Sequence, residues 1–551
     1  MSHAKQRREI WNWISIALLL LFLVFFIYPC FKLLVNAFYT EADGFTVKSF
    51  VKFFKKSYYY STILNSFKVS LAVMAISLVL GVPFSYFFTF YNLKGRKIIF
   101  VLALLCTMSA PFIGAYSWIM LLGRSGVITK ALASIGIKIG SIYGFNGILL
   151  VQAFKLFPLV MIYMNGAFQD IDATLLEASA NLGCTGIKRF FKINMALTMP
   201  TVLAAALIVF MRAFADFGTP SIIGEGYKTF PVLIYDSFLN EVGVDYNFAS
   251  AVSVLAMILT ALVFLLQKFA TGRFKFTINS LHPIEKKNPK GFGGFMMHFF
   301  CYGLLLIAML PQFYIVVDSF RDYKGQVAQS TYSLSNYQNA VRKLLGRSIK
   351  NTMVISTLAL IVIVIVAVLI AYLVVRRANT LNHAIDTISM LPYIMPGAVI
   401  GISLILAFNN KVISLTGTTA IMVIALAIRR MPYTSRSATA TMMQIPISTE
   451  EAAISLGASK IKTFIFITVP QMASGIISGA ILSFVSIITE VSSGVFLYNN
   501  RTITLTLSTY TNINLGSYGT ASAFATVTML VTIVCLVLYL VCTRGSERWS
   551  V

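Results

Sequence analysis

The chain has 551 residues, 58% of them hydrophobic and only 11% charged, with 44 Lys and Arg against 19 Asp and Glu. A water-soluble chain carries about 25% charged residues, and here the mean hydropathy is +0.81. These values exclude a soluble globular domain. They also turn the net charge of +25 from a nucleic-acid footprint into basic loops held at anionic lipid surfaces.

The apolar residues gather in runs such as 14–27, 353–375 and 523–541, and the longer runs can cross a hydrocarbon core of about 30 Å as helices. The first run follows Lys5, Arg7 and Arg8, but it is too long for a removable leader and no small-residue cleavage site follows, so it reads as a permanent span. Twelve spans are predicted, over 10–38, 63–90, 98–122, 145–167, 197–216, 248–268, 298–318, 351–375, 384–408, 418–440, 467–489 and 518–542. An even count puts both termini on one side. The loop 92–97 with Lys94, Arg96 and Lys97, the loop 376–383 with Arg376 and Arg377, and the stretch 267–297 are basic. They predict that this side is cytoplasmic, although the opposite segments 45–60 and 321–350 are basic too. The six cysteines, Cys30, Cys106, Cys184, Cys301, Cys535 and Cys542, are scattered and form no CxxC pair, so they read as small apolar residues rather than a disulfide framework or zinc site.

The chain repeats itself. A shift of 274 residues lays Pro158 on Pro432, Glu177 on Glu451, Gly183 on Gly457 and Asp216 on Glu490, and a slightly larger shift lays Asn65-Ser66 on Asn351-Thr352. The expected organisation is a first membrane repeat over 1–270, a polar, turn-rich connection over 271–297 containing Pro283 and Pro289, and a second repeat over 298–551. Six spans per copy make the repeats parallel. The predicted fold is an all-α polytopic membrane protein with a pathway between its halves.

The segments 174–200 and 448–470 carry the most chemistry. Thr174 with Glu177, and Ser448 with Glu451, have the spacing of a capping box. Small residues follow (Ala178, Ser179 and Ala180; Ala452 and Ala453), then a glycine six residues after each glutamate, Gly183 or Gly457. Glycine readily takes the left-handed conformation that stops a helix. Each segment therefore predicts a two-turn helix held outside the bilayer, then a second helix bearing Lys188 and Arg189, or Lys460 and Lys462. Such helices are poor membrane anchors and suit a groove on another protein.

Glu177-Ala-Ser-x-x-x-Gly183 and Glu451-Ala-Ala-x-x-x-Gly457 resemble the EAA loop of binding-protein-dependent ABC importer permeases. Of the two prolines that often follow this loop, the first half keeps the second, Pro200, and the second half keeps the first, Pro470. Asp216-Phe-Gly-Thr-Pro220 is similar to the DFGTP segment of fused iron(III)-type permeases, and Glu490-Val-Ser-Ser with Leu497-Tyr498 is similar to their ELSAS…LLY stretch. The resemblance implies a type I importer fold and a place in a bacterial plasma membrane. It implies coupling through Glu177, Ala178, Gly183, Glu451, Ala452, Ala453 and Gly457 to ABC ATPase subunits, one per half. It also implies an extracytoplasmic binding protein that delivers substrate, and ATP held only by the partners. Iron(III) is the substrate it suggests first; related permeases carry phosphonate, thiamine or polyamine.

Ionisable residues inside spans are costly. Lys155 and Arg429 precede Pro158 and Pro432 by three residues, roughly 20 Å from the cytoplasmic ends of their spans. Asp216 and Glu490 fall near the outer ends of the fifth and eleventh spans, and Arg212 precedes Asp216 by the spacing of a helix-face ion pair. Either these groups neutralise one another and set helix register, or Asp216 and Glu490, with Arg212, Lys155 and Arg429, line a gate or the path of a cationic substrate. The mid-span prolines permit bending as hinges or as packing kinks.

No GxxxxGK[ST] phosphate loop occurs, the Gly-rich 291–294 reads as linker, and the four histidines, His3, His282, His298 and His383, build no catalytic arrangement with acids or serines. An enzyme is not expected. A secondary transporter would share the repeats but would not need the exposed EAA helices, and a membrane scaffold would lack a pathway.

Overall fold

The computed structural model describes residues 2–40, 44–138, 140–239, 245–273, 282, 284–410 and 413–542. Of the expected connection, 274–281 and Pro283 fall outside them, as does the stretch after Cys542.

In hydrocarbon every backbone N–H and C=O needs a partner within the protein, so the apolar runs fold as helices. Among the described residues nine helices are long and apolar enough to cross a membrane, and two sharply bent pairs raise the number to eleven. The helix Thr419–Gln444 has the length but carries Arg429, Arg430 and Arg436, and stands where the tenth span was predicted. Phe145–Gln169 is the most enclosed span, 72% buried over its apolar window, whereas Ile10–Phe38 is 28% buried and sits at the rim.

The predicted third and ninth spans are not single rods. The first divides into Arg96–Met108 and Pro111–Leu122, the second into Thr380–Ile394 and Gly397–Phe408, bent by 111°. Proline is the cause in both. It disfavours a helical residue before it, and Ala110 before Pro111 and Met395 before Pro396 are extended, with ψ of 132° and 138°. The eleventh span bends by 69° between Lys460–Gln471 and Ala473–Ile488, next to Pro470, whereas its partner Gly186–Phe214 runs through Pro200 as one span. The unlike proline positions of the two halves thus give unlike helices. Both copies contain a π-helical turn at the same register, Phe190–Asn194 and Phe464–Thr468.

Each half's first span packs on the other half. Ile10–Phe38 lies against Thr380–Ile394 and Gly397–Phe408, with the Trp11 ring 4.4 Å from Tyr372 and 5.4 Å from Phe464 and the Ser15 hydroxyl donating to Asn382 Oδ1 at 2.7 Å. Gly291–Ser319 lies against Arg96–Met108 and Pro111–Leu122. This helix starts at Gly291, so the glycines expected as linker form its first turn; a Cβ on Gly294 would sit 2.8 Å from the carbonyl carbon of Pro289. After each first span comes a small hairpin, Tyr39–Thr40 with Gly44–Phe45 or Arg321–Lys324 with Val327–Tyr332, and an amphipathic helix, Lys48–Lys55 or Ser335–Arg342. The EAA segments lie at the opposite end.

Helices approach closely where side chains vanish. A Cβ on Gly479 would lie 2.6 Å from Thr434 Cα, and Gly475, one turn earlier, would collide with Thr441. Gly479→Leu is expected to lower the folded yield and melting temperature of the purified protein, because overpacking costs about 1–3 kcal/mol or more against backbone. Gly303→Leu, with nothing within 4 Å of its Cβ position, should leave both unchanged in a detergent thermal-shift assay.

Candidate functional site

The first EAA helix is Ala173–Asn181, the second Ile447–Ser455. Neither capping box forms. Asp172 caps the first helix, its Oδ1 accepting from Thr174 N at 2.9 Å and from the Thr174 hydroxyl at 2.6 Å. Pro446 occupies the same place in the second and supplies no side-chain cap. Both helices start before the predicted hydroxyl, so Thr174 and Ser448 are already inside the first turn.

The glycine stops are as expected. Gly183 has φ +74° and Gly457 φ +92°. Cys184 N donates to Ser179 O at 2.8 Å and Gly183 N to Ala180 O at 2.9 Å; Ala458 N donates to Ala453 O and Gly457 N to Ile454 O, both at 3.0 Å. This is the six-to-one, five-to-two pattern that satisfies a helix's last carbonyls.

The faces sort the predicted coupling residues. Glu177, Ala178, Gly183, Glu451, Ala452 and Gly457 are exposed, whereas Ala453, like Ser179 at its place in the first half, is buried against the body of the protein. Sequence reasoning missed Leu182 and Leu456, which precede the stop glycines and are 87% and 90% exposed. Nothing among the described residues covers these two large apolar side chains, and their repetition at a shift of 274 residues was the available signal. The two helices are braced differently. Glu450 is buried and accepts from Arg376 Nε at 2.8 Å, and Arg376 Nη2 donates to Ile445 O at 2.7 Å. The first helix is held by the connection, with Ala173 N donating to His282 O at 3.1 Å and His282 N to Asp172 Oδ2 at 3.2 Å.

The intramembrane charges form a second centre. Asp216 lies in the break between Met195–Phe214 and Gly218–Ile223, and Glu490 in the matching break after Ala473–Ile488. Asp216 accepts from Gln152 Nε2 and from Gly218 N, each at 3.0 Å. The predicted ion pair with Arg212 does not form: Ala215 ends the helix, so Asp216 is off the face that one-turn spacing requires. Arg212 instead donates from Nη2 to the Tyr433 hydroxyl of the other half at 2.8 Å. Glu490 is gripped by Arg429 through Nη1 and by Arg430 through Nη2, and accepts from Ser493 N at 3.2 Å. Gly397 makes room for this, since a Cβ there would collide with the Arg429 guanidinium. Lys155, the counterpart of Arg429, is in no ion pair among the described residues. A cavity of about 160 Å³ lies between the halves, lined mainly by apolar side chains such as Leu102, Leu105, Met309 and Phe313, and reached by Thr489, the residue before Glu490. Gln152, Tyr393 and Tyr433 were not singled out from sequence; Gln152 shares a helix face with Lys155, the one hint the sequence held. Among the described residues no group of three or more His, Cys, Asp or Glu could hold a metal ion.

Two repeated halves of membrane-crossing helices, each presenting a glycine-stopped, leucine-tipped helix at the same end, define a multi-pass membrane protein. Residues 76–275 and 363–548 both match the model of the binding-protein-dependent transport system inner membrane component, and the chain belongs to that family. It is a transport permease subunit. It is 28% identical to a ferric transport system permease protein of Actinobacillus pleuropneumoniae, over 97% of this chain and 78% of that one. A putative ferric transport system permease protein of Haemophilus influenzae is 28% identical over 88% of this chain and 77% of that one. A spermidine/putrescine transport system permease of the same organism is 28% identical over 45% of this chain and 90% of its own. A solved bacterial alginate ABC transporter chain aligns over 49% of this chain and 96% of its own, with 18% identity and a TM-score of 0.42.

Removing one partner from a buried charge group costs about 3–5 kcal/mol. Glu490→Gln leaves two arginines without their carboxylate and should sharply lower the melting temperature of the purified protein. Asp216→Asn should cost far less, because the Gln152 amide, whose Oε1 has no partner, can turn to accept from the new side-chain NH2.

Proposed function

We propose that this chain is the permease of an ABC importer for ferric iron. The observation that carries it is the pair of exposed, glycine-stopped helices repeated at the same end of both halves, within a chain matched over 97% of its length by a ferric permease. In this reading Leu182 and Leu456 seat in grooves on two ATPase subunits, one per half, with Glu177, Ala178, Glu451 and Ala452 on the rim of each contact and Gly183 and Gly457 setting its end. The ATPases hold and hydrolyse ATP, and this chain binds no cofactor of its own. An extracytoplasmic binding protein docks at the hairpin end and releases cargo between the halves. The EAA end, both termini and the connection face the cytoplasm of a bacterial cell whose plasma membrane holds the protein. Polyamine permeases are also relatives, but over less than half of the chain.

Replacing a fully exposed leucine changes the fold little, whereas an apolar anchor lost from an interface costs about 2 kcal/mol or more. Leu182→Ser with Leu456→Ser should therefore leave the melting temperature unchanged, reduce ATPase co-purification at least about tenfold and abolish iron-55 uptake by cells. Retention of a full ATPase complement by the double variant would refute the coupling assignment.

A further inference from the structure

Six ionisable side chains meet where the halves face each other: Lys155, Arg212 and Asp216 from the first, Arg429, Arg430 and Glu490 from the second. Lys155 and Arg212 both lie within electrostatic range of Arg430, and Asp216 within range of Arg429. Four of the six are basic and two acidic. The single charge of Glu490 is spread over two guanidinium groups. Asp216 is bound by neutral donors. Other enclosed acids of the second half are engaged elsewhere, Asp318 by Tyr323 and Ser522, Asp386 by Arg436 and Glu450 by Arg376. The cluster therefore carries an excess of positive charge in a low-dielectric setting where an uncompensated cation is expensive.

The halves differ in a way that builds this excess. The 274-residue shift places Leu156 opposite Arg430, Leu159 opposite Tyr433 and Ser486 opposite Arg212. Arg212 has one of its five donors on Tyr433, leaving others for an oxygen-bearing ligand. Tyr393 lies 5.5 Å from the Tyr433 ring, and 37% of its surface is exposed, which places it at the edge of the cluster.

We propose that cargo passes this centre as a net-anionic species, either an oxyanion or a metal ion already wrapped in anionic ligands, met by Arg212, Lys155 and Arg430. The inference rests on the importer reading above and narrows it: the passage is built for a negative shell, not for a bare cation.

The test separates the two. Tyr393→Cys in the purified full chain is labelled with an anionic sulfonate-bearing and a cationic trimethylammonium-bearing methanethiosulfonate, and the parent chain's own labelling is subtracted. A cleft with one sign of charge concentrates opposite ions tenfold or more, by order of magnitude. The anionic-to-cationic rate ratio should thus exceed that of free cysteine about tenfold, and fall back when Arg212→Gln and Lys155→Gln are added. Tyr163, half-buried and within electrostatic range of Arg212 and Tyr433, repeats the measurement as Tyr163→Cys from the first half should Tyr393→Cys fail to fold. A ratio at or below that of free cysteine overturns the proposal. In proteoliposomes holding the permease, its ATPase and a binding protein loaded with iron-55(III) and phosphorus-32 phosphate, entry of both labels together marks a metal–anion complex and entry of phosphate alone marks a free oxyanion. Entry of iron alone overturns the proposal. Entry of neither label refutes the iron reading of the previous section, while the labelling ratio still decides the anionic one.

Discussion

A carboxylate held between two guanidinium groups inside a membrane bundle is stable only if the backbone lets all three approach. The grip of Arg429 and Arg430 on Glu490 constrains the second half in this way. Glu490 must leave the helix to meet Arg429, so Ala473–Ile488 ends before it. Gly397 must lack a side chain for the Arg429 guanidinium to fit, and Pro396 must turn the ninth span aside. Interrupted helices are tolerated at membrane depth only where protein or a water-lined space receives the freed backbone groups, and both interruptions lie where the halves meet.

The first half solves the same problem without an ion triad. Asp216 occupies the matching break but takes its hydrogen bonds from Gln152 and from backbone, and Arg212 crosses to Tyr433. One architecture thus holds a tight ion triad on one side and a looser polar contact on the other. The EAA helices repeat this asymmetry. A buried salt bridge from Arg376 braces the second, whereas the connection near His282 braces the first. Because each first span packs on the opposite half, neither half completes its core alone.

Much of the fold was legible because its signals are local. Apolar runs marked where most spans lie, although Gly186–Phe214 and Gly291–Ser319 begin 11 and 7 residues before the predicted 197 and 298, and the glutamate-to-glycine spacing located both short helices and their left-handed stops. The starts of those helices were misread, because Asp172 and Pro446 lie just upstream of hydroxyl residues that fit a capping box equally well. The broken third and ninth spans were missed although Pro111 and Pro396 stood in view: hydropathy sees composition, and a proline in an apolar run reads equally as a kink or as a first helical residue. The predicted Arg212–Asp216 pair failed for a related reason, since one-turn spacing counts only while the helix continues.

The sequence by itself determined the class of protein, the doubled architecture and the two exposed helices, because periodicity, length and repetition are properties of neighbouring residues. Only the tertiary structure decided which charges meet. Arg212 finds Tyr433 across 221 positions, and Glu490 finds Arg429 and Arg430 some sixty positions away. Such partners are chosen by helix packing and by backbone breaks that bring distant segments together, and no local pattern encodes them.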